Sequence, residues 1–201
     1  MSSYYDVDAI LTDSHKLPCK FMLTVPGLGY IDGNVGEDMK QGTQVELPLW
    51  LGEVMAVSIA PPPRSPTSVA TLFRLPSHLP SSAVGTQLIE LDLPDALSTR
   101  IMNVLQADAK TVDIRALAPH FYTLAARILE LFDEKGMVEI LDEAFKKRAA
   151  EIADQAHNPR GALGEGAEFL RGLDETERQL FRVAHDSAKA VRMWMTELKK
   201  A

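Results

Sequence analysis

The second half of the chain has the apolar spacing of amphipathic helices. From residue 119 onward apolar side chains recur every three or four positions, which predicts a one-sided helix that begins at Pro119 and ends near Phe132. A shorter helix, capped by Asp92 and Asp95, is predicted before it and runs through Leu105. A further helix is predicted after it, with the inward residues Val138, Leu141, Phe145, Ala149, Ile152 and Ala156.

The final helix has the most regular pattern. Its inward positions step by threes and fours for about four heptads, as in a helix bundle or a coiled coil. These positions are Phe169, Leu173, Thr176, Leu180, Ala184, Ser187, Val191, Trp194 and Leu198. At about 1.5 Å per residue this helix would be about 45 Å long. Few other helices of the chain are long enough to cover it, so part of its apolar face is predicted to meet another chain.

Residues 1–46 have strand and turn patterns instead. Residues 17–25 and 43–47 are the predicted strands, and Asp32, Gly33 and Gly36 supply turn positions between them. A module of about 50 residues rarely folds alone, so this one should pack on the next domain or on a partner. Pro48 then begins a short helix that is apolar almost all round, and such a helix must be covered on more than one side.

Residues 58–86 interrupt the helical region. Six of the twelve prolines and six serines fall within them, so a loop or linker is predicted. The predicted fold is mainly α, with a small β-rich domain at residues 1–46 followed by an α-helical bundle domain at residues 47–201 that contains this loop.

Composition and charge narrow the class of function. The net charge is −7 and the pI is about 5.2, which is the wrong balance for a protein that grips nucleic-acid phosphates by itself. The mean hydropathy is −0.06, and no stretch approaches the roughly 20 apolar residues of a membrane-spanning helix. The acidic N-terminus does not resemble a signal peptide, so a soluble intracellular protein is expected. The single cysteine, Cys19, is interpreted as a small buried apolar residue.

Motifs for catalysis or metal binding are missing from the sequence. No Gly-Lys-Ser or Gly-Lys-Thr of a P-loop occurs, and the glycines at 27, 29, 33 and 36 miss the dinucleotide-binding spacing by one residue. The five histidines include no close pair of the kind that zinc sites use. The charged runs at 146–148 and 174–177 are interpreted as solvated helix faces. We therefore predict no catalytic, cofactor or metal site, and a protein that is not an enzyme.

Several segments in order carry a family resemblance. They are YYDVDAILTDSHKLPCKFMLTVPGLGYID near the start, ELPLWL at 46–51, DLPDALSTRIMNVLQAD at 92–108, and APHFYTLAARILELF at 118–132. LDETERQLF and the RMWM segment follow near the end. Together they resemble the Psf-three subunits of the eukaryotic GINS complex, those of fungi especially, and the resemblance covers nearly the whole chain apart from residues 58–86.

The resemblance implies a function and a set of partners. In that family the helical domains of four paralogous subunits pack into a tetramer. The tetramer joins the Cdc-forty-five protein and the minichromosome maintenance ring to form the active replicative helicase for initiation and elongation of DNA replication. The resemblance also implies that the subunit is nuclear, has no cofactor and makes no sequence-specific contact with nucleic acid. It implies a non-catalytic subunit, because the ring hydrolyses the ATP.

Interface and core packing should depend on large apolar side chains. The candidates are Trp50, Leu51, Phe121, Tyr122, Leu129, Phe132, Leu180, Val191 and Trp194. The sequence leaves open which of them face the protein's own core. It also leaves open an unrelated helical adaptor that forms a homodimer through its C-terminal helix, and an enzyme with an unrecognised site.

Overall fold

The computed structural model describes residues 5–57, 88–132, 134–158 and 166–198. Its contacts divide the chain into two units, Met1–Pro94 and Asp95–Ala201. The first unit holds a small sheet and the second is helical, which confirms the predicted fold class. The proposed loop at 58–86 lies outside the described residues. Within those residues no helix combines the length and apolar character needed to cross a bilayer.

The first unit is built on a three-stranded antiparallel sheet. Its strands are β1 (Lys16–Phe21), β2 (Gln44–Pro48) and β3 (Ile89–Leu91), with β1 in the centre. Cys19 pairs with Val45 on one side and with Leu91 on the other. Alternate residues of β1 are buried, as expected for a strand with one face on a core. The two predicted strands are confirmed, although the first ends at Phe21 rather than near residue 25.

The third strand corrects the prediction that residues 47–201 are helical outside the loop at 58–86. β3 has only three residues, and its hydrogen bonds go to a strand about 70 positions earlier in the chain. A pattern within three residues cannot reveal a pairing of that range, because the partner strand and not the local sequence decides it.

Two α-helices accompany the sheet within the described residues, besides a short 3₁₀ helix at Gly29–Asp32. The α-helices are α1 (Val7–Asp13) and α2 (Leu49–Val57), which starts directly after Pro48 as predicted. Gly52 lets α2 approach the sheet closely, because a Cβ at this position would lie 3.0 Å from a Leu91 methyl and 3.6 Å from the Cys19 sulfur. Helix α2 and strand β3 therefore belong to the first unit. The observed division after Pro94 differs for this reason from the boundary at residue 46 expected from the sequence.

Cys19 lies in the core of the first unit, as predicted, and only 1% of it is exposed. Burial, reinforced by the charge of Asp92, raises the pKa of its thiol to about 11. Since only the thiolate reacts with alkylating agents, the folded chain should be modified slowly.

We expect iodoacetamide at pH 8 to modify Cys19 in the folded chain at least about 100-fold more slowly than in urea, because a pKa about two units higher lowers the thiolate fraction by that factor. Intact-mass spectrometry over time measures both rates, with Cys19→Ser as the background. Rates within tenfold of each other would contradict this assignment.

Within the described residues, the second unit consists of six α-helices and a short 3₁₀ helix at Asp95–Leu97. The α-helices are α3 (Thr99–Ala107), α4 (Ile114–Leu117), α5 (Phe121–Leu131), α6 (Lys135–His157), α7 (Gly166–Arg171) and α8 (Glu175–Leu198). Helix α6 packs against both α3 and α8. The core of the unit includes Met102, Leu105, Ile114, Phe121, Leu124, Ile128, Leu141, Ala144, Ile152, Ala156 and Leu173. The segment 113–118, predicted as a loose turn, contains the short helix α4, which the Asp113 side chain caps through the Ala116 N–H at 3.0 Å.

The predicted final helix is two helices. The chain leaves helical geometry between Arg171 and Glu175, so α8 has 24 residues and is about 36 Å long. Gly172 lies at this break, where a Cβ would come within 3.3 Å of Asp113. The regular spacing of apolar residues continues across the break, which explains why the sequence pattern predicted one helix.

Candidate interaction surface and the polar node beneath it

The C-terminal end of α8 exposes large apolar side chains. We call residues 189–197 the α8 tail; every side chain in it is exposed. Val191, Met193, Trp194 and Met195 are each between 51% and 59% exposed. In contrast, the first turns of α8 are covered by α6 and α5, and Glu177 there is fully buried.

The tail continues a face of α8 that the chain covers only at its start. By helical spacing, Val191, Trp194 and Met195 share the side of α8 that carries Leu180 and Ala184 nearer its beginning. Leu180 is already exposed and Ala184 is half-buried. No described residue covers this face beyond Ala188, so it offers an apolar surface about two turns long.

The other candidates from the sequence are spread over both units. In the first unit, Trp50 is exposed in the first turn of α2 and Leu51 is half-buried. In the second unit, Phe121 is fully buried, whereas Tyr122, Leu129 and Phe132 are partly buried. The Tyr122 ring makes edge-to-face contacts with Phe121 at 5.4 Å and with Phe145 at 4.9 Å, measured between ring centroids.

A buried ion pair fixes the base of α8. Arg148 on α6 and Glu177 on α8 are both fully buried. The guanidinium donates two hydrogen bonds to the carboxylate, from Nε at 2.6 Å and from Nη2 at 2.9 Å. This two-pronged geometry is the strongest arrangement available to such a pair.

The remaining donors of Arg148 bind backbone carbonyls of other segments. Nη1 donates to the oxygens of Ala109 and Val112 at 2.7 and 3.0 Å, and Nη2 lies 3.5 Å from the oxygen of Gly172. The guanidinium also lies over the Phe169 ring, 5.0 Å from its centroid. One side chain thus joins the α3–α4 loop, the break before α8, and α8 itself. We call Arg148, Glu177 and Asp174 the polar node.

Asp174 begins α8 through a reciprocal cap. Its Oδ1 accepts a hydrogen bond from the Glu177 N–H at 2.7 Å, and its own N–H donates to Glu177 Oε2 at 3.3 Å. Its second oxygen accepts from the Tyr122 N–H at 3.2 Å, which ties the start of α5 to the start of α8. The Glu175 N–H adds a bond to the Pro119 oxygen at 3.0 Å.

Burial changes the proton affinity of groups at the node. It raises the pKa of Asp174 above its ordinary value, because a charged carboxylate is poorly solvated there. The folded state therefore binds a proton at Asp174 more readily than the unfolded state, and this group's contribution to stability declines as pH rises past its ordinary pKa. Burial, followed by the charge of Glu177, also raises the pKa of the Tyr122 hydroxyl well above its usual range.

The node corrects two interpretations of the sequence. Lys146 and Lys147 are exposed, but Arg148 in the same run is buried, and so are Asp174 and Glu177. Of the predicted inward residues of α6, Leu141, Ile152 and Ala156 are buried. Val138 is exposed, and Phe145 and Ala149 are only half-buried. The residues one position before them, Met137, Ala144 and Arg148, are the buried ones. Two signals were available: the spacing of Arg148 by four from Ala144 and Ile152, and the Asp-x-x-Glu capping pattern at 174–177.

The described residues show little that could perform catalysis. No group of three or more His, Cys, Asp or Glu side chains among them is placed to hold a metal ion. An open groove of about 470 Å³ lies between α3 and α6. It is lined largely by charged side chains of α6, which pair along the helix as Lys146 with Asp142 and Lys147 with Glu143.

Family comparison assigns both units. The family model described as "GINS complex protein helical bundle domain" matches residues 96–196, and the one described as "PSF3 N-terminal domain" matches residues 5–57. The second unit, including the α8 tail as far as residue 196, is therefore a helical bundle of the GINS class.

Full-length relatives give the particular family. The chain is 62% identical over 200 residues to a Phaeosphaeria nodorum protein named "DNA replication complex GINS protein PSF3", which covers 100% of this chain and 99% of that protein. Proteins of that name from Aspergillus fumigatus and Candida albicans are 58% and 34% identical, over 98% and 96% of this chain and 99% and 97% of their own lengths. The chain belongs to the PSF3 family of DNA replication complex GINS proteins.

Proposed function

We propose that this chain is a non-catalytic structural subunit that assembles with three paralogous GINS subunits through apolar helix faces. The observation that carries the proposal is the exposed α8 tail. There the side chains of Val191, Trp194 and Met195 lie on one side of the helix, and no described residue covers that side. A surface of this kind is typical of an interface core, because its exposure to water is unfavourable.

The proposed mechanism of assembly depends on the two parts of α8, its buried first turns and its exposed tail. The polar node holds the first turns, and the tail projects from that fixed base. A partner that covers Val191, Trp194 and Met195 gains the hydrophobic free energy of burying them, and it meets a surface whose direction is already set. The further candidates for contact or packing are the exposed Trp50 and Leu180 and the half-buried Leu51, Tyr122, Leu129 and Phe132.

The larger role that we propose is that of a bridge. The assembled tetramer would join the minichromosome maintenance ring and the Cdc-forty-five protein in the replicative helicase, within the nucleus. The net charge of −7 supports contacts with proteins in preference to direct binding of DNA phosphates. The sequence lacks a P-loop, which supports ATP hydrolysis by another component.

Co-expression tests the assembly. We expect the chain to be poorly soluble alone and to form an equimolar four-chain complex when it is produced with its three paralogues. Size-exclusion chromatography with light scattering gives the mass, and denaturing gels give the stoichiometry. A stable monomer that ignores the paralogues would rule out the proposal, and a self-complementary dimer would support the homodimeric adaptor instead.

A further inference from the structure

Helix α1 has the reverse of the usual orientation of an amphipathic helix. Its polar residue Thr12 is buried and donates a hydrogen bond from its hydroxyl to the Asp8 carbonyl at 2.7 Å. Its apolar residues Val7, Ile10 and Leu11 face solvent, with exposed fractions from 49% to 64%. Positions 7, 10 and 11 lie on one side of a helix, so they form a stripe, which we call the α1 stripe.

The α1 stripe is held in place before anything binds it. The Asp6 side chain caps the helix by accepting from the Asp8 N–H at 3.1 Å. After the helix, the His15 carbonyl accepts a hydrogen bond from the Leu49 N–H at 2.8 Å, which joins the end of α1 to α2. A partner would therefore meet a preformed surface and lose little free energy in ordering it.

The surroundings of the stripe are acidic. Residues 5–14 contain three aspartates and neither lysine nor arginine. The first lysine or arginine after them, Lys16, lies 3.9 Å from the Glu46 carboxylate. Burial lowers the pKa of His15 below its ordinary value, which favours the neutral ring.

We propose that the α1 stripe binds the apolar side of an amphipathic helix, flanked by lysine or arginine, from a protein outside the four-chain complex. Apolar side chains at positions i, i+3 and i+4 are the usual anchors of helix-to-helix recognition. Basic flanks complement the acidic segment, which raises the association rate and favours this class of partner. A second copy of this chain paired stripe to stripe would bring two acidic segments together, and that contact is electrostatically unfavourable.

The test measures binding of a fluorescent, designed 18-residue helix with a leucine stripe and lysine flanks to the four-chain complex by fluorescence anisotropy. We expect Ile10→Ser with Leu11→Ser to raise the Kd at least tenfold. The matched control is Val35→Ser, because Val35 is an exposed apolar residue elsewhere in the same unit and its replacement should leave the Kd unchanged. A peptide with glutamate in place of each lysine should bind at least tenfold more weakly.

Two results would overturn the proposal. One is equal binding of the lysine peptide to the Ile10/Leu11 variant and to the Val35 control. The other is loss of the four-chain complex in the Ile10/Leu11 variant while circular dichroism shows a folded chain, which would assign the stripe to a paralogue. If the unaltered chain fails to assemble, the proposed function fails instead, and the same peptide comparison is made on the chain alone.

Discussion

Replacing Arg148 by alanine should lower the free energy of unfolding by about 3–5 kcal/mol. The change leaves the Glu177 carboxylate buried without its partner, and it removes the donor to the Ala109 and Val112 carbonyls. Burial of an uncompensated charge accounts for most of the loss. Urea unfolding of the full chain, at a concentration low enough to keep it in solution, followed by circular dichroism at 222 nm, measures it.

The neighbouring lysine supplies a matched control for this prediction. Lys147 is exposed, and its pairing with Glu143 at 3.5 Å lies on the surface of α6, so Lys147→Ala should change the unfolding free energy by less than about 0.5 kcal/mol. Combining Arg148→Met with Glu177→Leu removes both charges and should recover part of the loss. The assignment of the node fails if Arg148→Ala costs no more than Lys147→Ala.

Substitution of Val191 and Trp194 by aspartate should weaken assembly with the paralogues at least about 100-fold, since a buried Trp anchor contributes about 2 kcal/mol or more to such interfaces and the two new carboxylates would lose their hydration there. The stability of the isolated chain should change by less than about 0.5 kcal/mol, because both side chains are already exposed. Co-purification yield and a titration of the labelled chain against the other three subunits measure the affinity, and urea unfolding measures the stability.

Two controls separate an interface from a core residue. Met193 is equally exposed in the α8 tail but lies on its opposite side by helical spacing, so Met193→Asp should have a much smaller effect on assembly. Phe121 is fully buried, so Phe121→Ala should cost the chain itself about 3–5 kcal/mol. Normal assembly of the Val191/Trp194 variant would show that the α8 tail is not part of the interface.

The sequence was most informative where structure is local. The period of apolar residues located α5 and α6, and the pattern of short apolar runs and turns located β1 and β2. The apolar face of the last helix was also predictable, because its spacing continues through residues that the chain leaves exposed. These signals depend on neighbours within one or two turns, which the sequence displays directly.

The features that escaped prediction depend on distant partners. In the sequence, Arg148 belongs to a basic run that predicts a solvated surface. In the structure, Glu177 and three backbone carbonyls of other segments accept its hydrogen bonds. The break before α8 arises because Asp113 approaches Gly172 and because Asp174 caps a new helix. Whether Trp50 or Val191 meets a partner is likewise decided by another molecule, and their roles stay predictions.

The short strand β3 has a consequence for how this protein can be divided. The match to the PSF3 N-terminal domain ends at residue 57. The backbone groups along the second edge of β1, however, are paired with Ile89–Leu91. A fragment cut at residue 57 would leave the middle strand open along one side, with unpaired amides and carbonyls that favour aggregation. A fragment that retains the complete sheet must extend at least to Leu91, and the first unit itself extends to Pro94, so this unit is longer than the stretch that matches the PSF3 N-terminal domain.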